Sequence, residues 1–79
     1  MRLLFFGRFV RFKNLPALLT AVAKLPHVSL TLVGGGPVAS KASALARSLS
    51  LRGRVTFLPS VHGADRDKTL REHDLLILP

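Results

Sequence analysis

The chain of 79 residues contains no cysteine and no long apolar run. The lack of cysteine excludes a disulfide framework, a thiolate zinc site and a cysteine nucleophile. A membrane-spanning helix needs about 18 or more consecutive apolar residues, and no stretch approaches that length. The apolar run at the start of the chain ends at Gly7 and Arg8, too early for a signal peptide. We therefore expect no transmembrane segment and a cytoplasmic location, either free or at the inner membrane surface.

Acidic residues are scarce and confined to one short segment. There are four, and all lie within ten positions of each other: Asp65, Asp67, Glu72 and Asp74. The first 64 residues carry nine lysines and arginines and no acid, and the net charge of the chain is +8. Such a field attracts polyanions, which include nucleic acid, anionic lipid surfaces and phosphorylated substrates. The alternative is a general basic bias in composition without a specific partner.

Aromatic residues are limited to five phenylalanines. Three of them lie in apolar strand patterns, namely Phe5, Phe6 and Phe57. Only Phe9 and Phe12 are left as stacking platforms for single-stranded nucleic acid, which is weak support for that function. If nucleic acid is nevertheless the partner, we expect contacts from cations such as Arg47, Arg52 and Arg54 and an affinity that falls steeply with salt.

What is present is a regular alternation of apolar strand patterns with amphipathic helix patterns. A hydrophobic content of 48% is enough for a packed core. Strands are predicted at Leu3–Phe6, Val28–Val33, Val55–Leu58 and Leu75–Leu78. Helices are predicted at 15–24 after an N-cap at Asn14, from Pro37 to near Ser50, and from an N-cap at Asp65 to about His73. This order predicts an α/β fold, a Rossmann-like three-layer parallel sheet with strand order 3-2-1-4 and right-handed crossovers.

Two glycine-containing loops follow the first two predicted strands. Gly7 ends the first strand and is followed by the cations Arg8 and Lys13, whereas Gly34-Gly35-Gly36 ends the second. Loops at the carboxyl ends of parallel strands line the ligand crevice. We therefore expect Arg8 and Lys13 to face an anionic ligand beside a helix N-terminus, and the glycine turn to bring backbone N–H groups close to it. Solvated loop cations and a plain tight turn remain the alternatives.

Motifs for catalysis are incomplete. The run from Gly34 to Ala39 matches the glycine pattern of a dinucleotide fingerprint, but the acidic residue expected about 20 positions later is missing. The three histidines lack metal-ligand spacing; His62 is expected on the ligand side of the sheet and His73 at the opposite end. Ser60 lies near His62 without an orienting carboxylate. We predict no catalytic residue, metal or cofactor within this chain.

Taken in order, the motifs resemble one family over nearly the whole chain. The matching pieces are Phe6-Gly7-Arg8 with Lys13-Asn14, then Leu32-Val33-Gly34-Gly35-Gly36-Pro37, Arg54-Val55-Thr56-Phe57-Leu58 and Asp74-Leu75-Leu76-Ile77-Leu78-Pro79. This series is similar to the first part of the C-terminal, nucleotide-sugar-binding domain of retaining "group 1" glycosyltransferases.

The resemblance implies a two-domain GT-B enzyme that moves a sugar from a nucleoside-diphosphate sugar to an acceptor. It assigns the donor diphosphate to Arg8 and Lys13. It also implies that backbone near the donor comes from Gly7 and from Gly34, Gly35 and Gly36. The loop formed by Pro59, Ser60, Val61 and His62 is implied to lie beside the nucleobase. No metal is implied, and the nucleotide sugar is a substrate rather than a cofactor.

The chain departs from the family pattern in three respects. The paired glutamates of the family follow the fourth strand and have no counterpart up to Pro79, and the acceptor-binding N-terminal domain is not among these residues. Phe12 replaces the polar residue common before the lysine. We therefore expect 1–79 to be a partial nucleotide-sugar-binding domain, an incomplete GT-B C-terminal domain that is inactive alone and whose sheet a partner chain or a further domain completes. The alternative is a small non-enzymatic binder of nucleic acid or another polyanion; a peripheral membrane contact is a further expected partner.

Overall fold

Strands and helices alternate in the computed structural model, which describes residues 1–9, 14–51, 53–59 and 63–77. The strands are β1 (Arg2–Phe6), β2 (Ser29–Val33), β3 (Val55–Leu58) and β4 (Leu75–Ile77). The helices are α1 (Leu15–Ala23), α2 (Ala39–Ser48) and α3 (Ala64–Arg71). All strand pairs are parallel and the order is β3-β2-β1-β4. The predicted fold class and strand order are confirmed.

The main core lies between one face of the sheet and the helices α1 and α2. Leu3 pairs in register with Leu30, and Phe5 with Leu32, so that alternation along each strand turns all four side chains to the same face. From the helices, this core receives buried residues at helical spacing: Leu15, Leu19 and Val22 of α1, and Ala42 and Ala46 of α2. The two crossovers therefore lie on the same side of the sheet, as expected for right-handed connections in this order.

The helix α3 covers the opposite face and is joined to it through His73. The imidazole Nδ1 of His73 lies 2.6 Å from the carbonyl oxygen of Thr69, and its Nε2 lies 2.8 Å from Oγ1 of Thr31. A carbonyl oxygen only accepts, so Nδ1 donates to Thr69, while Nε2 and the Thr31 hydroxyl form the second hydrogen bond. The ring thus joins the end of α3 to the middle of β2, and Thr69, whose carbonyl it contacts, is buried.

Of the two predicted helix caps, Asn14 is confirmed in position only, and Asp65 is wrong. Asn14 does precede α1, but its backbone is left-handed (φ 56°, ψ 45°) and its side chain makes no capping hydrogen bond. An N-cap oxygen normally accepts from the second or third helical N–H, and the second helical residue here is Pro16, which has none. The N-cap of α3 is Gly63 (φ 60°, ψ −130°), a conformation that favours glycine. Asp65, predicted as that cap, lies in the first turn of α3 instead.

The outer side of β4 is the least covered part of the described sheet. Leu75 is 52% exposed and Leu76 is 40% exposed, although their side chains point to opposite faces. Among the described residues, no helix has the length and apolar character needed to cross a membrane. At the carboxyl ends of the strands, the described residues that follow β1, β2 and β3 lie close together.

Candidate functional site

The loops after β1 and β2 interlock through their backbones at the carboxyl edge of the sheet. The N–H of Phe9 donates to the carbonyl oxygen of Gly35 at 2.9 Å, and the N–H of Val38 donates to the carbonyl oxygen of Phe9 at 3.0 Å. The N–H of Gly7 also donates to Val33 at 3.1 Å, which continues the β1–β2 ladder into the loop. Residues 26 or more positions apart in the chain thus form one backbone platform.

Two of the three consecutive glycines are required by this interlocking. A Cβ atom on Gly34 would lie 2.1 Å from the carbonyl oxygen of Gly7, and one on Gly36 would lie 2.6 Å from that of Phe9. Both glycines also have positive φ, 136° and 154°. Gly35 differs, because a Cβ there would meet nothing within 4 Å. Protein packing therefore explains Gly34 and Gly36, whereas Gly35 is exposed and leaves open space above the backbone.

Among its described residues, the platform carries one cation at its surface and one phenylalanine beneath it. Arg8 is exposed, and the next residue, Phe9, is 2% exposed. The Phe9 ring lies 6.2 Å from the rings of both Phe5 and Phe57, nearly perpendicular to the latter at 74°. Phe9 is therefore a core residue, and its prediction as a stacking platform is wrong. The interlocked backbone turns its side chain inward and leaves Arg8 outside.

A cleft of about 560 Å³ opens beside the platform, between the loop after β2, the start of α2 and the end of β3. Its lining combines small side chains, apolar side chains and one cation: Phe9, Gly34, Ala39, Ser40, Ser43, Arg47, Phe57, Leu58 and Pro59. Such a mixture of an apolar wall with a few polar groups is typical of a small-molecule site. The cleft is at the strand ends, where open α/β sheets bind ligands.

The predicted site residues are brought together as far as the structure describes them. Gly7, Arg8 and the glycines 34–36 belong to the platform, and Pro59 lines the cleft. Lys13, Phe12, Ser60, Val61 and His62 fall outside the described residues. Ser40 and Ser43 on α2 were missed by the sequence analysis, since serine on a helix is most often a solvated residue; only the packing of α2 over the cleft distinguishes them.

Arg54 has a structural role that the sequence did not indicate. Its guanidinium donates to three backbone carbonyls, those of Val22, Leu25 and Val28, where α1 ends and β2 begins. The last carbonyls of a helix lack intrahelical partners, and a basic side chain can satisfy them. Through its Nε and Nη2 groups, Arg54 is therefore held at the end of the sheet away from the cleft.

Comparisons with known proteins agree with this geometry. A family model described as "Glycosyl transferases group 1" matches residues 2–79. The chain is similar to the D-inositol 3-phosphate glycosyltransferases of Mycobacterium sp. (strain KMS) and Mycobacterium sp. (strain JLS), with 41% identity over 81 aligned positions in each case. Those alignments cover 95% of this chain and 18% of each relative, so the chain spans less than a fifth of their length.

One solved structure shows the same architecture. The fold is similar to the crystal structure of the catalytic domain of cholesterol-alpha-glucosyltransferase from Helicobacter pylori, with a TM-score of 0.83 and 26% sequence identity. The match covers 96% of this chain and 48% of that one. The parallel sheet with its crossover helices is thus the Rossmann-like arrangement of a GT-B domain.

Proposed function

Because this chain belongs to the group 1 glycosyltransferases, we propose that its cleft binds the donor, a nucleoside-diphosphate sugar, for transfer of the sugar to an acceptor. The observation that supports this most is the platform itself. Exposed Arg8 and the open backbone at Gly35 lie side by side, next to a cleft whose far wall is Leu58 and Pro59. A cation and open backbone suit a diphosphate, and an apolar wall suits a nucleobase.

In this proposal the two ends of the donor are held differently. The guanidinium of Arg8 grips diphosphate oxygens with paired hydrogen bonds, and Lys13 adds a point charge. The nucleobase lies against the loop that starts at Pro59 and continues through Ser60, Val61 and His62. Gly35 lets the diphosphate approach the backbone. Transfer itself requires groups beyond these residues, so the isolated chain binds donor and transfers no sugar.

Binding of a nucleoside diphosphate tests the proposal directly. Calorimetry or ligand-detected NMR with UDP, GDP and ADP is expected to show weak binding to the isolated chain. Arg8→Ala and Lys13→Ala should each lose on the order of 1–3 kcal/mol of binding free energy, because each removes a charge-assisted contact. Arg66→Ala, which removes an exposed cation from α3, is the matched control and should bind as the parent does. Undiminished binding by the Arg8/Lys13 double variant would exclude this site for the diphosphate.

A further inference from the structure

We infer that a second surface, the groove between α2 and the outer edge of β3, binds an extended acidic peptide segment of another protein as an added strand. This α2–β3 groove has a volume of about 660 Å³ and is lined by Ser43, Ala46, Arg47, Leu51, Val55 and Phe57. It runs down the side of the sheet, away from the platform, and shares Ser43, Arg47 and Phe57 with the cleft. The inference does not depend on the proposed donor, since it concerns a protein partner.

The first support is the unpaired backbone of β3. In the described sheet β3 pairs with β2 on one side and has no strand on the other. The N–H of Leu30 donates to the carbonyl oxygen of Arg54, and the N–H of Gly34 donates to that of Leu58. Residues 54 and 58 therefore face β2, and alternation along the strand turns the N–H and C=O of Phe57 to the outer edge. These groups can pair with one more strand.

The second support is the shape of the groove beside that edge. Val55 and Phe57 form its floor, and both are half-buried against the main core. The helix α2 forms its wall with Ala46, Ser43 and Arg47. A strand added to β3 would place every second side chain over this floor and against this wall. Main-chain pairing with alternate side chains in a pocket is the recognised mode of peptide binding by strand addition.

The third support is charge. Arg47 is exposed on the wall, and the one ion pair among the described residues joins Arg2 to Asp74, at β1 and the start of β4. The first 64 residues contain no acid at all, so nothing in that part of the sequence neutralises the groove. An acidic side chain on the added strand is complementary to Arg47, whereas a basic peptide is repelled.

A second copy of this chain fits the groove less well. Its acidic residues are confined to 65–74. Asp65 and Asp67 lie in the first turn of α3, and Asp74 already accepts a hydrogen bond from the backbone of Arg2. None of the described residues therefore offers an extended acidic segment, and the partner is another protein.

The experiment uses the whole chain labelled with ¹⁵N and a synthetic peptide of six residues. The peptide has the sequence Val-Thr-Glu-Thr-Val-Thr. As a strand, it presents two valines and the glutamate between them on one face and three threonines on the other. Amide shift changes should concentrate at Phe57 and Arg47. A peptide with lysine in place of glutamate, and one with N-methyl groups on the pairing amides, should bind far less. Arg47→Gln and Ser43→Glu should each weaken binding about fivefold or more, while Arg66→Gln on α3 leaves it unchanged.

Several results would overturn the inference. Equal binding of the N-methylated and unmodified peptides would exclude strand addition. Shift changes at β4 in place of β3 would put the surface elsewhere. If dilution of the chain alone reproduced the shift changes, the occupant would be a second copy. If a single-stranded oligonucleotide produced them at lower concentration than the peptide, the ligand would be nucleic acid. Loss of peptide binding in Val55→Glu, at a residue that lines the groove and not the cleft, with nucleoside diphosphate binding retained, separates this surface from the donor cleft.

Discussion

At the scale of single residues, the three neighbouring glycines differ in whether the fold could accept a side chain at their positions. Gly34 has positive φ, and a Cβ there would overlap the backbone of Gly7, whereas Gly35 has open space. We expect Gly34→Ala to lower the free energy of unfolding by on the order of 2–4 kcal/mol, through backbone strain and overpacking. Gly35→Ala should change it by less than about 0.5 kcal/mol. Urea unfolding of both variants checks this, and equal losses would mean that the loops do not interlock as described.

The role of Arg54 follows from the hydrogen bonds that its side chain makes in the folded chain, not from its being a basic residue. Its guanidinium serves three carbonyls at the junction of α1 and β2, and Arg54→Ala leaves them without those partners. We expect a loss of about 1–3 kcal/mol in the free energy of unfolding. Arg66→Ala, an exposed cation on α3, is the control and should stay within about 0.5 kcal/mol of the parent. If the two variants were equally stable, the Arg54 contacts would contribute nothing measurable to the fold.

At the scale of elements, the start of β4 is held to β1 by a double contact of Asp74. The N–H of Asp74 donates to the carbonyl oxygen of Arg2 at 2.8 Å, and the N–H of Arg2 donates to Asp74 Oδ2 at 2.7 Å. That second hydrogen bond, aided by the nearby charge of Arg2, holds the pKa of the Asp74 carboxyl below its ordinary value. The ionised carboxylate is thus bound more favourably in the folded chain than in the unfolded one.

This contact predicts a pH dependence with a definite sign. Because the folded pKa is the lower one, the stabilisation is complete above the unfolded carboxyl pKa of about 3.9 and is lost as the pH falls through the folded value. Asp74→Asn should therefore be less stable than the parent at pH 7, and the difference should shrink at pH 3. Urea unfolding at both pH values measures it, with Asp67→Asn on α3 as control. A difference of the same size at both pH values would contradict the role of the ionised carboxylate.

At the scale of the whole molecule, β4 carries two of the four large apolar side chains that are exposed among the described residues. Leu75 and Leu76 are both substantially exposed on this outer strand, and apolar side chains exposed along an unpaired strand edge promote association. A chain of 79 residues also buries a small core. We expect the isolated chain to self-associate with rising concentration in sedimentation experiments. The double variant Leu75→Lys, Leu76→Glu should reduce that association, and a parent chain that stays monomeric throughout would contradict the prediction.

Much of the architecture could be predicted because its causes are local. Apolar runs at period two and apolar faces at helical spacing marked each strand and helix to within a few residues, from Leu3–Phe6 to Val55–Leu58. The rule that parallel strands are joined by right-handed crossovers then restricted the order of the strands in the sheet to a few possibilities, which included 3-2-1-4. The sequence also placed Gly7 with Arg8, and Gly34 with its two neighbours, at the same edge of the sheet, since both groups directly follow a strand.

What only the tertiary structure decided depends on partners far apart in the chain. Phe9 is buried because its backbone pairs with Gly35 and Val38, and Arg54 is occupied because α1 ends beside it. The sequence marks Gly34, Gly35 and Gly36 alike, yet the close approach of Gly7 and Phe9 requires only the first and the last. Local pattern reports which residues prefer a strand, a helix or a turn. It carries no information on which distant carbonyl, ring or loop each side chain meets, because those contacts exist only once the chain has folded.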